Sequence, residues 1–196
     1  MKYLLQLQKQ KETNVQCVGK LVKKNVKDIQ FSLKMNMSEK KNLISNFLTV
    51  IAVFFLDRLS KIYILKLAEI QEALDIYVLP NLNFYLVWNK GISFGLLPIS
   101  DSFGYTALTL LITILILIIL IMISKEENNF KKYSLLLILG GALGNLYDRI
   151  KYSAVPDFID LHIGNIHWFI FNVADIFISL GVICLIYAEI FFKKVV

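Results

Sequence analysis

Residues 140–175 constrain the fold more than any other stretch, because they join two apolar blocks through a polar segment rich in acids. We predict that the chain leaves the first block near Asp148, crosses a short polar loop, and enters a helix holding Asp175 about two turns inside. Carboxylates at or within the hydrocarbon of a bilayer are costly, so each one marks a functional hypothesis. The pattern indicates a membrane protein in which acids from different segments approach one membrane face.

Apolar residues make up 57% of the chain, above the ~45–50% that is usual in soluble domains. They are concentrated in blocks, and about 20 residues suffice to cross a hydrocarbon core of ~30 Å. We therefore predict an all-α membrane protein built as a four-transmembrane-helix bundle. Its spans are expected at residues 43–67, at 103–123, from Tyr133 onward, and at 169–188.

The third block is short, with 15 residues from Tyr133 to the residue before Asp148. Its helix must be short, must be tilted, or must have its charged end buried among neighbouring elements. The small residues Gly140, Gly141 and Gly144 provide a surface that another helix can approach closely.

The loop at residues 68–102 contains a run from Val78 to Trp88 that alternates with a period of two. That period predicts a β-strand, with Pro80 at its start on a sheet edge. The residues Asn89-Lys90-Gly91 predict a turn. We expect a small extramembrane β-sheet over the outer face of the bundle, serving either as a plain cover or as a cradle for an extended peptide.

The positive charge is concentrated at the N-terminus. Residues 1–41 hold ten Lys and three acids, a net charge of +7, so the remainder of the +6 chain sums to −1. A basic flank of this kind is cytoplasmic in membrane proteins, and without interleaved Arg and aromatic residues it does not predict nucleic-acid binding. We predict a basic, mobile or weakly helical tail at 1–41 and a membrane domain at 42–196.

The other basic segments give the orientation. Residues 124–132 contain three Lys, and Lys193 and Lys194 follow the last block, so both termini are predicted to be cytoplasmic. The loops at 68–102 and 149–168 then lie outside, and the acids converge near the outer leaflet.

Cysteine and histidine do not predict a metal site. Cys17 and Cys184 lie in the tail and the last block, and both are expected to be free thiols. His162 and His167 are interpreted as interfacial polar residues, because no cysteine partners accompany them. We expect no cofactor.

An acid pair can hydrolyse an amide by sharing one proton, since like charges a few ångströms apart cannot both ionise. Asp175 is the strongest candidate, because an acid inside an apolar helix has no cheap structural role. Its partner is left open among Asp157, Asp148, Asp160 and Asp57. Arg149 is expected to neutralise Asp148, and Lys61 to neutralise Asp57 from one turn along the same helix, which leaves Asp157 the least compensated. That Asp57–Lys61 pair is interpreted as structural more readily than as catalytic.

Two other classes compete with a hydrolase. A carrier or channel would use the acids to bind protons or cations, although no inverted repeat of the kind common in carriers is evident. A membrane scaffold would use the charges only to hold its helices together.

Five motifs in chain order resemble those of the bacterial lipoprotein signal peptidase (signal peptidase II) family. The resemblance covers the chain from about Leu43 to the C-terminus, and its specificity comes from the order of the motifs on four predicted spans. The motifs are Asp57-Arg58-Leu59-Ser60-Lys61 (D-x-x-S-K), Asn89-Lys90-Gly91-Ile92-Ser93-Phe94 (N-x-G-x-[AS]-F), Gly144-Asn145-Leu146-Tyr147-Asp148-Arg149 (G-N-x-x-D-R), Val155-Pro156-Asp157-Phe158 (V-x-D-F) and Phe171-Asn172-Val173-Ala174-Asp175 (F-N-x-A-D).

The resemblance implies a membrane aspartyl endopeptidase with Asp157 and Asp175 as its catalytic pair. It implies cleavage of diacylglyceryl-modified prolipoproteins just before the lipidated cysteine, by a monomer in contact with the lipids of the bacterial inner membrane and with its active site near the outer face. Residues implied to support the site or substrate are Asp57, Lys61, Asn89, Gly91, Asn145, Asp148, Arg149 and Asn172. The chain departs from the family pattern at Ser153, where Gly is usual, and at Arg58, where Gln is common, and neither departure is expected to touch the acid pair.

Overall fold

The computed structural model describes residues 40–70, 75–91, 102–164 and 166–191, without the side chains of 166–168. The helices in these ranges are α1 (40–70), α2 (Ser102–Lys125), α3 (Asn129–Tyr152) and α4 (Val173–Phe191), and the strands are β1 (Asp75–Leu79), β2 (Leu82–Asn89), β3 (Val155–Ile163) and β4 (Ile166–Phe171). The described residues from Asn46 to Phe191 belong to one compact unit. The predicted tail up to residue 39, with Cys17, and the residues Lys193 and Lys194 lie outside the description.

Among the described helices, α2 and α4 are long and apolar enough to cross a bilayer, with mean hydropathies of 3.1 and 2.1 over their most apolar stretches. The prediction of an uncharged helix in the second block is confirmed. Only Leu108 and Ile116 of α2 are buried, so most of this helix presents apolar side chains outward, as a lipid-facing helix does.

The third block differs from the prediction, because α3 does not end near Asp148. It continues through Arg149 to Tyr152, and Asp148 and Arg149 are only 0% and 4% exposed. The charged end is buried among neighbouring elements, which is one of the three solutions predicted for so short a block. The helix ends at Ser153, whose backbone is left-handed (φ 54°) and whose N–H donates to the carbonyl of Arg149.

Small residues let α3 pack closely on its neighbours, as predicted. A Cβ at Gly141 would stand 2.5 Å from the carbonyl oxygen of Ala174 at the start of α4. A Cβ at Gly144 would stand 2.6 Å from Oδ2 of Asp57 on α1. Larger residues at either position would push apart the helices that carry the site.

Ser153 is a strained helix terminus, since left-handed backbone is costly for a residue with a Cβ and is usually glycine at this position. Ser153→Gly is expected to raise the free energy of unfolding by about 0.5–1 kcal/mol. Denaturant titration in detergent micelles measures the change. Gly164→Ala is the reverse control: Gly164 also has positive φ (58°), with no atom within 4 Å of an added Cβ, so a loss of stability there reports backbone strain alone.

The four strands form one antiparallel sheet in the order β1-β2-β3-β4. The predicted sheet is confirmed, but its predicted strand is divided, because Pro80 and Asn81 form the turn between β1 and β2 rather than the start of a single strand. The predicted polar loop is also wrong, since residues 155–171 supply β3 and β4. Phe158 of the sheet packs with Ile64 of α1 in the core, with Phe84 and Leu86 against them.

The last apolar block therefore begins as a strand. Its first residues lie in β4, and α4 starts only at Val173. Asp175 is the third residue of α4, in its first turn, rather than two turns inside. The acid is thus held at a helix N-terminus, where backbone N–H groups lack partners within the helix.

Candidate active site

Two buried carboxylates, Asp157 and Asp175, lie at the junction of the sheet and α4. Asp157 is the third residue of β3, and Asp175 is the third residue of α4. Their exposures are 2% and 3%. Such burial demands hydrogen-bond partners for their oxygens, because an unsatisfied buried carboxylate is strongly unfavourable.

Asn172 joins the two acids. It precedes α4, and its Oδ1 accepts from the backbone N–H of Asp175 at 3.2 Å, while its own backbone N–H donates to Oδ2 of Asp175 at 3.2 Å. This reciprocal arrangement is a capping box, which explains the Asn-x-x-Asp spacing. The side-chain amide of Asn172 also donates to Oδ1 of Asp157 at 2.5 Å, so one residue positions both carboxylates.

Asn145 on α3 supplies a second donor to Asp175, from Nδ2 to Oδ1 at 2.9 Å. The orientation of this amide follows from Lys61, whose ammonium donates to the Asn145 oxygen at 2.9 Å. An ammonium can only donate, so the oxygen must face Lys61 and the NH₂ must face Asp175. Lys61 therefore acts on Asp175 through Asn145.

Four charged residues beside the pair form a neutral, buried ion cluster. Lys61 contacts Asp57 at 2.9 Å and Asp148 at 2.7 Å. Arg58 contacts Asp57 at 2.7 Å and binds both oxygens of Asp148. The predicted Asp57–Lys61 pair is confirmed, whereas Arg149 is not the partner of Asp148 as predicted. Two cations balance two anions, as buried charges require.

This ion cluster also holds the start of α4. Oδ1 of Asp57 accepts from the backbone N–H of Ala174 at 3.0 Å, which satisfies one of the donors left free at a helix N-terminus. Asp57 thus attaches α1 to the turn that carries Asp175. This contact supplies the structural role expected for the Asp57–Lys61 pair.

The end of β2 holds Asp157 from the other side. Asn89 donates from Nδ2 to Oδ2 of Asp157 at 2.8 Å, and the backbone N–H of Gly91 donates to Oδ1 of Asn89 at 2.8 Å. Arg149 donates to the carbonyl of Gly91. The predicted turn residues Asn89 and Gly91 therefore contact, directly or through one another, both Asp157 and α3.

Burial raises the pKa of Asp157 from 3.8 to about 7, with the nearby charge of Asp175 as the second cause. Hydrogen bonds from Asn89 and Asn172 and the charge of Lys61 oppose the rise. A pKa near 7 lets Asp157 hold or release its proton close to neutral pH, which is the property that one member of a proton-sharing pair requires.

The other candidate acids lie elsewhere. Asp57 and Asp148 belong to the ion cluster, and Asp160 is fully buried with one oxygen 3.6 Å from Nδ1 of His162. Of the four partners that the sequence left open for Asp175, Asp157 is the one that shares Asn172 with it. In the described ranges no group of three or more His, Cys, Asp or Glu residues could hold a metal ion, and Cys184 is a free thiol.

Two residues near the site were not singled out from the sequence as functional. Arg58 was noted only as a departure from a motif, yet it completes the ion cluster. Tyr105 on α2 contacts Arg149 through both its hydroxyl and its ring. The sequence did not indicate a role for Tyr105 at the site, because a tyrosine at the end of an apolar helix equally suits a membrane interface.

Comparisons with known proteins agree on one family. The family model described as signal peptidase (SPase) II matches residues 49–191. A lipoprotein signal peptidase of Pelagibacter ubique is 53% identical over 160 residues, covering 82% of this chain and 96% of the relative. The lipoprotein signal peptidase of Aquifex aeolicus is 40% identical over 145 residues, covering 74% and 84%.

Solved structures agree with the fold. A bacterial membrane enzyme superposes with a TM-score of 0.59 at 29% identity, over 78% of this chain and 93% of its own. A second solved structure of a bacterial membrane enzyme gives a TM-score of 0.57 at 28% identity, over 78% and 94%. Together with the two apolar helices, these likenesses support a membrane location.

Proposed function

The chain belongs to the signal peptidase II family, and on that premise we propose that it cleaves signal peptides from diacylglyceryl-modified prolipoproteins, immediately before the lipidated cysteine. The observation that carries the proposal is the placement of Asp157 and Asp175, two buried acids bonded to one asparagine. In this mechanism the two side chains bind and activate the reacting groups directly, and the other polar residues hold them in place.

Asp175 is the ionised member of the pair in this mechanism. Its carboxylate accepts hydrogen bonds from the Asn145 amide and the Asn172 backbone, and it lies at the positive end of α4. Asp157 is the protonated member, because burial and the charge of Asp175 raise its pKa to about 7. These different environments support Asp175 as the base and Asp157 as the acid.

Hydrolysis then follows from these two states. Asp175 accepts a proton from water while the water oxygen bonds to the scissile carbonyl carbon, and Asp157 gives its proton to the carbonyl oxygen. The tetrahedral intermediate breaks its C–N bond as Asp175 passes a proton to the leaving nitrogen and Asp157 recovers its own. Both acids return to their starting states, and no covalent enzyme intermediate forms.

The membrane arrangement completes the proposal. All four helices span the inner membrane, both termini are cytoplasmic, and the acids lie near the outer face, consistent with the lysine-rich segments on the opposite side. An apolar groove of about 300 Å³ lies between α2, α3 and α4, with Asn145 and Arg149 as its polar lining residues. Such a surface suits the lipid-anchored portion of a substrate held beside the acids, in a monomer.

Cleavage of a diacylglyceryl-modified prolipoprotein peptide by the purified full chain tests the function. We expect two products, with the new N-terminus at the lipidated cysteine, identified by mass spectrometry. The same peptide without the diacylglyceryl group is the matched control and is expected to be cut at least tenfold more slowly, since remote binding energy contributes to kcat/KM. No cleavage of the lipidated peptide would contradict the proposal and leave a carrier or a scaffold as the alternative.

A further inference from the structure

Tyr105 makes two independent contacts with Arg149. Its hydroxyl donates to the backbone carbonyl of Arg149 at 2.9 Å, and its ring centroid lies 5.6 Å from the guanidinium carbon. The first contact holds the last turn of α3, and the second is within the range of a cation–π interaction. Tyr105 lies on α2, so it connects a different helix to this end of α3.

Arg149 needs such support, because it is a buried cation with few partners. It is 4% exposed, and its Nε and Nη1 have no hydrogen-bond partner among the described residues. Its Nη2 donates to the carbonyl of Gly91. The ring of Tyr105 is therefore a major stabilising contact for this charge, since a buried cation without compensation is costly.

The contacts continue from Arg149 to the catalytic acid. Gly91 is held on both sides: its backbone carbonyl accepts from Arg149, and its backbone N–H donates to the side-chain oxygen of Asn89. The amide of Asn89 in turn donates to Oδ2 of Asp157 at 2.8 Å. One backbone segment and one side chain thus form a continuous link from the guanidinium of Arg149 to Asp157.

We propose that Tyr105 is a positioning residue for the reaction, which fixes Arg149 and, through Gly91 and Asn89, the orientation of Asp157. This inference rests on the proposed function for its catalytic consequence. It assigns to the start of α2, which carries none of the five motifs, a role in aligning an acid on β3.

The proposal makes a specific statement about protonation. The hydrogen bond from Asn89 favours the ionised form of Asp157 and so lowers its pKa. The other groups acting on Asp157 are Asp175, which raises the pKa, and Asn172 and Lys61, which lower it. None of these three is contacted by Tyr105 in the described hydrogen bonds, so weakening the Tyr105 link removes the Asn89 contribution selectively and raises the pKa of Asp157.

The experiment compares Tyr105→Phe and Tyr105→Leu with the wild-type full chain in detergent. Tyr105→Phe keeps the ring and loses the hydroxyl, so kcat is expected to fall about fivefold, and Tyr105→Leu loses both contacts and should fall about twentyfold. In both variants the high-pH limb of the rate profile, where the shared proton is lost, should move to higher pH. Thr106→Val is the control, because the Thr106 hydroxyl bonds only the carbonyl of Ser102 within α2 in the described contacts.

A second measurement is independent of turnover. Infrared titration of the protonated carboxyl band, assigned to Asp157 by its loss in Asp157→Asn, should show a higher midpoint in Tyr105→Leu than in the wild type. An unchanged midpoint, or a rate loss without a shift of the high-pH limb, would overturn the positioning role while leaving the function intact. A shifted midpoint in a chain that does not cleave the lipidated peptide would support the positioning of Asp157 and contradict only the proposed function.

Discussion

Replacing either Asp157 or Asp175 with asparagine is expected to lower kcat/KM for the lipidated peptide by about 10³–10⁴-fold, because in the proposed mechanism each supplies general acid–base catalysis that the other cannot replace. Asparagine is nearly isosteric and keeps one acceptor oxygen, which can accept from the Asn172 amide in Asp157→Asn and from the Asn145 amide in Asp175→Asn. The loss therefore reports chemistry rather than collapse of the site. Rates are measured by mass spectrometry of the products, with membrane insertion checked by extraction of the protein from membranes.

Asp160→Asn is the matched control for this prediction. Asp160 is another fully buried carboxylate on β3, three residues beyond Asp157, and it contacts neither acid of the pair in the described hydrogen bonds. Its variant is expected to retain activity within about tenfold. Wild-type rates from Asp157→Asn or Asp175→Asn would remove the proposed mechanism, as would an equal loss in all three variants.

The same Asp157→Asn variant should be more stable than the wild type at neutral pH. The folded-state pKa of Asp157 is about 7, against 3.8 for an ordinary aspartate. A raised pKa gives stability that is fully present below pH 3.8 and lost as the pH rises through 7. The wild type should lose on the order of 2–4 kcal/mol of unfolding free energy across this interval relative to the variant, as measured by denaturant titration at pH 4.5 and pH 8.

Lys61→Met is expected to lower the free energy of unfolding by about 3–5 kcal/mol, since it removes one partner from a buried ion cluster and leaves Asp57 and Asp148 with Arg58 alone. It also removes the donor that orients Asn145, so kcat should fall together with stability. Unfolding in mixed micelles measures the first effect and peptide cleavage measures the second.

Two further variants define what the Lys61 result means. Lys131→Met breaks a pair with Glu189 whose side chains are 17% and 62% exposed, and the expected cost is below about 1 kcal/mol. Combining Lys61→Met with Asp148→Asn leaves one cation and one anion and should recover part of the lost stability. A loss at Lys61 no larger than that at Lys131 would show that the buried charges are not mutually stabilising.

The sequence was sufficient to predict the apolar helix of the second block and to single out Asp175 as a candidate. Apolar blocks of spanning length follow directly from the cost of exposing backbone polar groups to lipid, and α2 lies where its block predicted. The spacing of Asp57 and Lys61 placed them on one helix face, which the ion pair between them confirms. Asp175 could be selected because a carboxylate beside an apolar helix requires an explanation.

The sequence did not predict strand β3 or the partners of Asp148, because tertiary contacts determine both. The run from Val155 to Ile163 buries Asp157, Asp160 and His162 while exposing Leu161 and Ile163, so hydrophobic alternation gave no usable strand signal. The partner of Asp148 was misassigned for a similar reason. Arg149 is its neighbour in sequence, but adjacent residues on a helix do not face one another, and Arg58 and Lys61 reach it from α1.

The capping box that joins Asn172 to Asp175 has a consequence for how the proposed activity would be lost. The proposed catalytic base, Asp175, caps the first turn of α4 together with Asn172. Fraying of that turn therefore releases the Asp175 carboxylate, frees the asparagine that orients Asp157, and breaks the contact of Asp57 with Ala174 in one event. Intermediate states with one acid in place and the other displaced are therefore disfavoured. Slow hydrogen–deuterium exchange at the amides of Ala174 and Asp175 would report the fraction of molecules competent for turnover at any moment.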